Sequence, residues 1–168
     1  MAFGASSPQA MTLFILTIFP LKKRMTNEEF LSQPLSPHFR LGEFVRSATA
    51  VDLRIDNRPP AIAVEALRLL CEEVLEPLRR RFGCIRITSG YRCETLNRAV
   101  GGVANSQHLL GEAADIFVPN EETALKYLDF LRTHTPFDQL ILEPRDARIP
   151  RWLHVSYTIR RPVRGQVL

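Results

Sequence analysis

The sequence is poor in cysteine. Its 168 residues contain three cysteines, Cys71, Cys84 and Cys93, and none of them forms a Cys-x-x-Cys pair. An odd count at these spacings argues against a disulfide framework and against a zinc site built from thiolates. Cys71 falls on the apolar face of a predicted helix, where we expect a buried free thiol. A bond between Cys84 and Cys93, which flank one predicted strand and its turn, stays open.

A long hydrophobic run is also missing. The apolar stretch from Met11 to Phe19 is too short to span a bilayer as a helix, so we expect no stable membrane insertion. Positive charge follows this stretch, whereas a secretory signal carries its charge first, so we find no convincing signal peptide. From Met25 onward the sequence reads like the start of an ordinary protein, and we predict that residues 1–24 are a dispensable extension. A weak membrane anchor is the alternative.

Charge of one sign is not in large excess. There are 22 Lys and Arg residues against 18 Asp and Glu residues, a formal net charge of +4. Because no basic stripe is interleaved with aromatic residues, we do not expect nucleic acid as a partner. The hydrophobic fraction of 45% and charged fraction of 24% are ordinary for a soluble globular domain, and we expect a monomer. Three arginines near the end indicate a solvated C-terminal tail over 161–168: Arg160, Arg161 and Arg164.

Hydrophobic periodicity predicts one α+β domain over residues 25–160. The clearest helix is Ala61 to Phe82, where apolar residues from Ile62 onward recur at three- and four-residue steps. Pro77 lies late in this helix and is expected to kink or end it. Further along, helices are predicted over 94–100 and 121–133, and strands over 84–89, 113–118, 137–142 and 152–159. This order favours a small, mostly antiparallel sheet with flanking helices.

Two segments carry residues that suit a metal ion. His108 lies in a loop before the strand that contains Asp115, and Gly111 between them lets the chain turn. In the last strand, alternation puts the side chains of His154 and Trp152 on one face. A carboxylate in an otherwise apolar strand is costly unless it is paired or metal-bound, and two histidines with one carboxylate suit a hydrolytic zinc. A lone histidine is more often an ordinary core or surface residue, and the spacing leaves both interpretations open.

The same segment resembles the signature of the zinc D-alanyl-D-alanine carboxypeptidases, a family that includes the vancomycin-resistance dipeptidases and several phage endolysins. The matching pattern is Ser106-x-His108-x-x-Gly111-x-Ala113-x-Asp115. The resemblance runs from about Leu35 to Tyr157 and so covers most of the chain. Upstream segments that look like the family are 88–92, 96–97 and 100–102, and those that resemble its single-domain, phage-associated branch are 35–39, 43–44 and 55–57.

The resemblance implies a zinc-dependent peptidase that hydrolyses the stem peptides of bacterial peptidoglycan. It implies a DD-peptidase/hedgehog-like zinc fold, with Zn²⁺ held by His108, Asp115 and His154. Such an enzyme acts at the cell wall, in the periplasm, although the sequence gives no export route. Whether the reaction is that of a carboxypeptidase or of an endolysin-type endopeptidase stays open.

The resemblance also implies residues that contact the substrate. Arg92 is expected to meet the terminal carboxylate of the peptide, because a guanidinium group suits a carboxylate in two-point contact. Ser106 is expected either to hydrogen-bond the substrate or to orient His108. Trp152, on the same face as His154, is a further expected substrate contact.

One position departs from the family pattern. In much of the family an acidic residue three places before the last histidine acts as the general base, but this place is occupied by Arg151. Arginine does not take a proton from water at neutral pH. We expect Glu143, across a predicted turn from His154, to be the base, with Asp138 and Asp146 as alternatives. The departure also leaves open a catalytically impaired zinc-containing module that binds the cell wall.

Overall fold

The computed structural model describes residues 25–144 and 150–168 and has an α+β fold built on one five-stranded sheet. Its strands are β1 (Ile87–Ser89), β2 (Ala113–Phe117), β3 (Gln139–Glu143), β4 (Trp152–Ser156) and β5 (Gln166–Val167). Their order across the sheet is β1-β2-β4-β3-β5, and every pairing is antiparallel except that of β3 with β5. The predicted small, mostly antiparallel sheet is therefore confirmed. The predicted extension over 1–24 lies outside the described residues, as does Asp146.

Seven α-helices surround this sheet in the described part of the chain. They are α1 (Asn27–Leu31), α2 (Leu41–Val45), α3 (Ala48–Asp52), α4 (Ala61–Leu70), α5 (Glu76–Phe82), α6 (Glu94–Ala99) and α7 (Glu121–His134). A 3₁₀ helix, Gln107–Leu110, precedes β2. Two short helices, α1 and α3, were not predicted, because each has only five residues and no apolar periodicity to reveal it. None of the described helices is long and apolar enough to cross a membrane.

The predicted long helix over 61–82 is present as one helical run with a wider turn inside it. A π-helical segment, Cys71–Leu75, joins α4 to α5 immediately before Pro77. Proline has no N–H to donate to the preceding turn, so a change of helical pitch there is expected. The buried face includes Leu67, Leu70 and Val74, whereas Ile62 is 79% exposed and does not belong to it.

The cysteines have no bonds to one another. All three are free, and the bond left open between Cys84 and Cys93 is not formed. Cys71 is fully buried on the core side of the π-helical segment, as expected. Burial raises the pKa of the Cys71 thiol well above its usual value, so this group stays neutral and unreactive.

The two faces of the sheet have different roles. Leu140, Leu153 and Val155 point to the helices and are fully buried in the core. Because side chains alternate along a strand, the neighbours of these residues point to the opposite face. That face carries His154 and Asp115, and it forms the floor of a large cleft. The core therefore supports the cleft through the sheet itself.

Residues 161–168 are exposed, but they are not an unstructured tail. Gln166 and Val167 form β5 beside β3, and the predicted last strand ends at Ser156 instead of continuing to residue 159. Arg161 and Arg164 form ion pairs with Asp138, which is fully buried. A buried carboxylate needs cationic or hydrogen-bonding partners, and residues 161–168 supply them.

Candidate metal centre

Three side chains from distant parts of the sequence converge in the cleft. The Nδ1 atom of His154 lies 2.9 Å from Oδ1 of Asp115, and Nε2 of His108 lies 3.3 Å from the same oxygen. One ligand atom from each residue lies within 4.8 Å of the other two. The structure therefore brings together the three residues that the sequence singles out as metal ligands.

The sheet positions two of these side chains. Asp115 on β2 is the direct register partner of His154 on β4, so both side chains point to the cleft face at the same level. Ala114 and Ile116, on either side of Asp115, are fully buried in the opposite direction. Asp115 is thus the one carboxylate in a strand that is otherwise apolar and, up to Ile116, buried.

A short helix and two glycines position His108. Ser106 caps the 3₁₀ helix, because its hydroxyl group accepts a hydrogen bond from the backbone N–H of His108. Gly111 ends this helix with φ +72°, and a Cβ atom there would overlap the carbonyl oxygen of Ala63. The imidazole Nδ1 lies 2.6 Å from the carbonyl oxygen of Gly90, which leaves Nε2 directed at Asp115. The sequence does not predict this carbonyl partner, because every residue has a backbone carbonyl and the residue type therefore does not indicate the contact.

The protonation states suit a cation. Burial lowers the pKa of His108, more than its contact with Asp115 raises it, so the imidazole is neutral near pH 7. Burial also raises the pKa of Asp115, but its contacts with His108 and His154 outweigh this effect and hold the pKa well below its usual range. The donor set is therefore two imidazoles and one carboxylate, which fits zinc and matches a catalytic site with three protein ligands.

Arg92 lies beside this donor set. Its Nη2 donates to Oδ2 of Asp115 at 3.0 Å, and its Nε donates to Oγ of Ser89 at 3.0 Å. The side chain is 17% exposed at the edge of the cleft. The guanidinium group is thus held in a fixed orientation next to the place where the three ligand atoms meet.

Glu143 and Trp152 share the face of the sheet that carries His154. Glu143 is the register partner of Trp152, and Ile141 is that of His154, so all four side chains point to the same side. Both Glu143 and Trp152 are half-buried and line the cleft. The pairing of β3 with β4 therefore places Glu143 at the cleft.

The other acidic candidates and Arg151 have different surroundings. Asp138 is fully buried, and Arg161 and Arg164 bind it, so its carboxylate is not available to take a proton from water. Asp146 lies outside the described residues. Arg151 is exposed one residue before β4, and its backbone N–H donates to the carbonyl oxygen of Glu143 at 2.7 Å. Of the two candidate acids within the described residues, Glu143 is the one whose side chain lines the cleft.

The cleft is large and its walls are cationic. It has a volume of about 1410 Å³ and extends beyond the three ligand residues. Its lining includes two acidic residues, Asp115 and Glu143, and five arginines: Arg46, Arg92, Arg160, Arg161 and Arg164. The last three of these arginines were missed as site residues. The signal that could have revealed them is Asp138, a second carboxylate in an apolar stretch, which requires a cationic partner for the same reason as Asp115 does.

Comparison with known proteins adds a family assignment. A family model described as peptidase M15 matches residues 37–156, which is most of the chain and includes all three ligand residues. No curated protein matches the sequence significantly. The match ends at Ser156, so the C-terminal segment with its arginines lies beyond it.

Proposed function

The chain belongs to the peptidase M15 family, and on that premise we propose that it is a zinc-dependent peptidase that hydrolyses the stem peptides of bacterial peptidoglycan. The proposed reaction is either the removal of a terminal D-alanine or the cleavage of an internal peptide bond, as in an endolysin. The proposed place of action is the cell wall.

The convergence of His108, Asp115 and His154 carries this proposal. These residues would hold the ion, with Nε2 of His108 and Nδ1 of His154 as the nitrogen donors. When bound, a zinc ion supplies Lewis-acid chemistry, in that it polarises a carbonyl group and makes water more acidic. The hydrogen bond between His108 and the carbonyl of Gly90 fixes the tautomer that leaves Nε2 free to bind a metal.

Glu143 is proposed as the general base. Its carboxylate lines the cleft on the same face as His154, from where it can take a proton from the attacking water. The same group then passes the proton to the leaving amine as the peptide bond breaks. This role compensates for Arg151, which occupies the position of the usual acidic residue.

Arg92, Ser106 and Trp152 are proposed to position the peptide. Ser89 and Asp115 hold the guanidinium group of Arg92 next to the ligands, where it can pair with the carboxylate at the end of a substrate. Trp152 offers a half-buried aromatic surface on the cleft floor. Ser106 is already engaged with the backbone of His108, and this contact supports the second of its two expected roles, the orientation of that ligand.

The size of the cleft supports a substrate longer than a dipeptide. Small-molecule sites enclose about 300–1,000 Å³, and the cleft here has about 1410 Å³. A stem peptide of several residues fits this space better than a single amino acid or a nucleotide. The cationic walls also suit stem peptides, which carry free carboxylates.

A second candidate function is a zinc-containing module that binds the cell wall without hydrolysis. Arg151 favours it, because this position holds an acidic residue in much of the family. The two functions differ in one observable property, since the module would bind zinc and peptide but would not turn the peptide over.

Zinc content and turnover, measured on the same preparation, test the proposal. We expect one zinc ion per chain and, in mass spectra of digested muropeptides, products shortened at one defined bond. The identity of that bond distinguishes the carboxypeptidase from the endopeptidase. Stoichiometric zinc with intact muropeptides would favour the binding module, and a protein without zinc would contradict both candidates.

A further inference from the structure

One buried carboxylate in this protein has two arginine partners. Oδ1 and Oδ2 of Asp138 accept hydrogen bonds from Nη1 and Nη2 of Arg161 at 2.7 and 2.8 Å. The same carboxylate accepts from Nε and Nη2 of Arg164 at 3.1 and 2.6 Å. A single guanidinium group neutralises a single carboxylate, so the cluster of these three residues carries one surplus positive charge.

The surplus charge faces the cleft. Both Arg161 and Arg164 line it, and their side chains are 40% and 43% exposed, whereas Asp138 behind them is fully buried. The neighbouring Arg160 has its own buried partner, Glu112, and this pair is neutral. Within the part of the chain that the structure describes, the second guanidinium group of the Asp138 cluster therefore has no anion of its own.

Both guanidinium groups are fixed before any ligand arrives. Arg161 binds both oxygens of Asp138, and Arg164 is also hydrogen-bonded through Nη2 to Oε1 of Gln107 at 3.2 Å. The backbone N–H of Arg164 adds a contact to Asp138 at 2.9 Å. Because these side chains lose little conformational freedom on binding, they are pre-organised to recognise an anion.

The cluster and Arg92 lie on opposite sides of the two ligand-bearing strands, because β2 and β4 lie between β1 and β3 in the sheet. Arg92 follows β1, whereas Asp138 precedes β3 and its N–H binds the carbonyl oxygen of Ser156, two residues after His154. Two residues along a strand span about 7 Å, so the cluster is on the order of 10 Å from the ligands, the length of about three extended residues. A peptide whose terminal carboxylate pairs with Arg92 and that crosses β2 and β4 would extend its acyl part toward the cluster.

We propose that Arg161 and Arg164, supported by Asp138, form a subsite for a carboxylate on the acyl side of the scissile bond. The inference rests on the proposed peptidase function and narrows its substrate class to peptides with an acidic group a few residues before that bond. A carboxylate suits this subsite because a guanidinium group donates to it in a planar two-point contact. The γ-linked D-glutamate residue of a stem peptide, with its free α-carboxyl group, has this chemistry.

Two peptides that differ in one group test the subsite. The first is L-Ala-γ-D-Glu-L-Lys-D-Ala-D-Ala, and in the second the α-carboxyl group of the D-Glu residue is a carboxamide. With the zinc-loaded protein we expect KM to be about tenfold lower for the acid than for the amide, since a hydrogen bond to a charged group contributes that much discrimination. Titration calorimetry on the metal-free protein, in which no cleavage occurs, should show the same preference in Kd.

The variant Arg161→Gln removes the surplus charge and leaves Arg164 to pair with Asp138. We expect it to raise KM and Kd for the acid about tenfold and to leave both values for the amide unchanged. The matched control is Arg132→Gln, which removes an arginine from an exposed pair with Asp129 outside the cleft. It should change KM and Kd for neither peptide.

The outcomes separate the subsite from the proposed function. Equal KM and Kd for the two peptides, or an equal loss for both in Arg161→Gln, would overturn the subsite, because a merely structural role does not distinguish them. If the wild-type protein cleaves neither peptide, the proposed function with these substrates fails, and the calorimetric comparison still decides the subsite.

Discussion

Asp115 and His154 are direct partners across β2 and β4, with Oδ1 of the carboxylate 2.9 Å from Nδ1 of the imidazole. Two of the three proposed ligands are thus held by strands β2 and β4, whose other face packs into the core. Sites built on such elements hold their geometry more closely than sites built on loops. His108 is the one proposed ligand outside the sheet, and the contact of its Nδ1 with the carbonyl of Gly90 fixes the orientation of its ring.

Loss of His108 should empty the metal site. We expect His108→Ala to bind no zinc under conditions in which the wild type binds one ion per chain. Activity should fall by more than about 100-fold, the upper end of the loss found for residues that only orient a ligand. Atomic emission spectroscopy and peptide hydrolysis measure the two quantities. His134→Ala, at an exposed position on α7, is the control and should keep both. Normal zinc content in His108→Ala would contradict the proposed ligand set.

Loss of the Glu143 carboxylate should impair the chemical step alone. We expect Glu143→Gln to keep zinc content and KM close to the wild-type values and to lower kcat by about 10²- to 10⁴-fold, the usual contribution of a general base. Glu94→Gln, at an exposed position on α6, is the control with unchanged kinetics. If Asp146→Asn rather than Glu143→Gln lowers kcat, the base is assigned to the wrong carboxylate.

A side chain at Gly111 should destabilise the fold near His108. In Gly111→Ala, the positive φ and the overlap with the carbonyl of Ala63 together should cost about 3 kcal/mol of unfolding free energy. Gly101→Ala separates the two causes, because Gly101 has φ +73°, close to that of Gly111, but nothing lies within 4 Å of the added Cβ. We expect a loss of about 1 kcal/mol there. Urea denaturation of the metal-free proteins measures both, and equal losses would show that the overlap has no effect.

Asp138 should make the protein more stable at neutral pH than in acid. Burial raises the pKa of Asp138, but hydrogen bonds from Arg161 and Arg164 outweigh it and hold the pKa well below the unfolded value of about 3.9. A carboxyl group with a lowered folded pKa contributes stability above its unfolded pKa, and the contribution is lost as the pH falls through the folded pKa.

The variant Asp138→Asn tests this pH dependence. The difference in unfolding free energy between wild type and variant should be largest above about pH 4 and should shrink as the pH falls below it. Asp129→Asn is the matched control, since Asp129 pairs with Arg132 on the exposed surface and should show little difference at any pH. Chelator-treated protein keeps the metal site out of the measurement. A pH-independent difference for Asp138→Asn would refute the expectation.

The sequence predicts those parts of the molecule that depend on local pattern. Alternation in β4 predicts that His154 and Trp152 share a face, and the Asp115 carboxylate in an apolar strand indicates a charged partner. Gly111 is also explained locally, because the left-handed backbone conformation at the end of a short helix favours glycine. For these residues, the physical cause of their position or conformation lies in a few neighbouring residues of the sequence.

The parts that the sequence does not predict depend on contacts between distant residues. Arg161 is 23 residues from Asp138, and although the position of Asp138 indicates a cationic partner, nothing near it in the chain identifies which residue that is. A run of arginines near the end has the composition of a solvated tail, and only the buried carboxylate requires another interpretation. Strand β5 is not predicted either, because two residues are too few to show an alternating pattern.

The placement of β5 also affects how the protein is handled in the laboratory. Leu168 lines the cleft, and its carbonyl oxygen accepts a hydrogen bond from the backbone N–H of Leu142. An affinity tag or reporter fused after Leu168 would therefore start at the cleft and would compete for space with any ligand bound there.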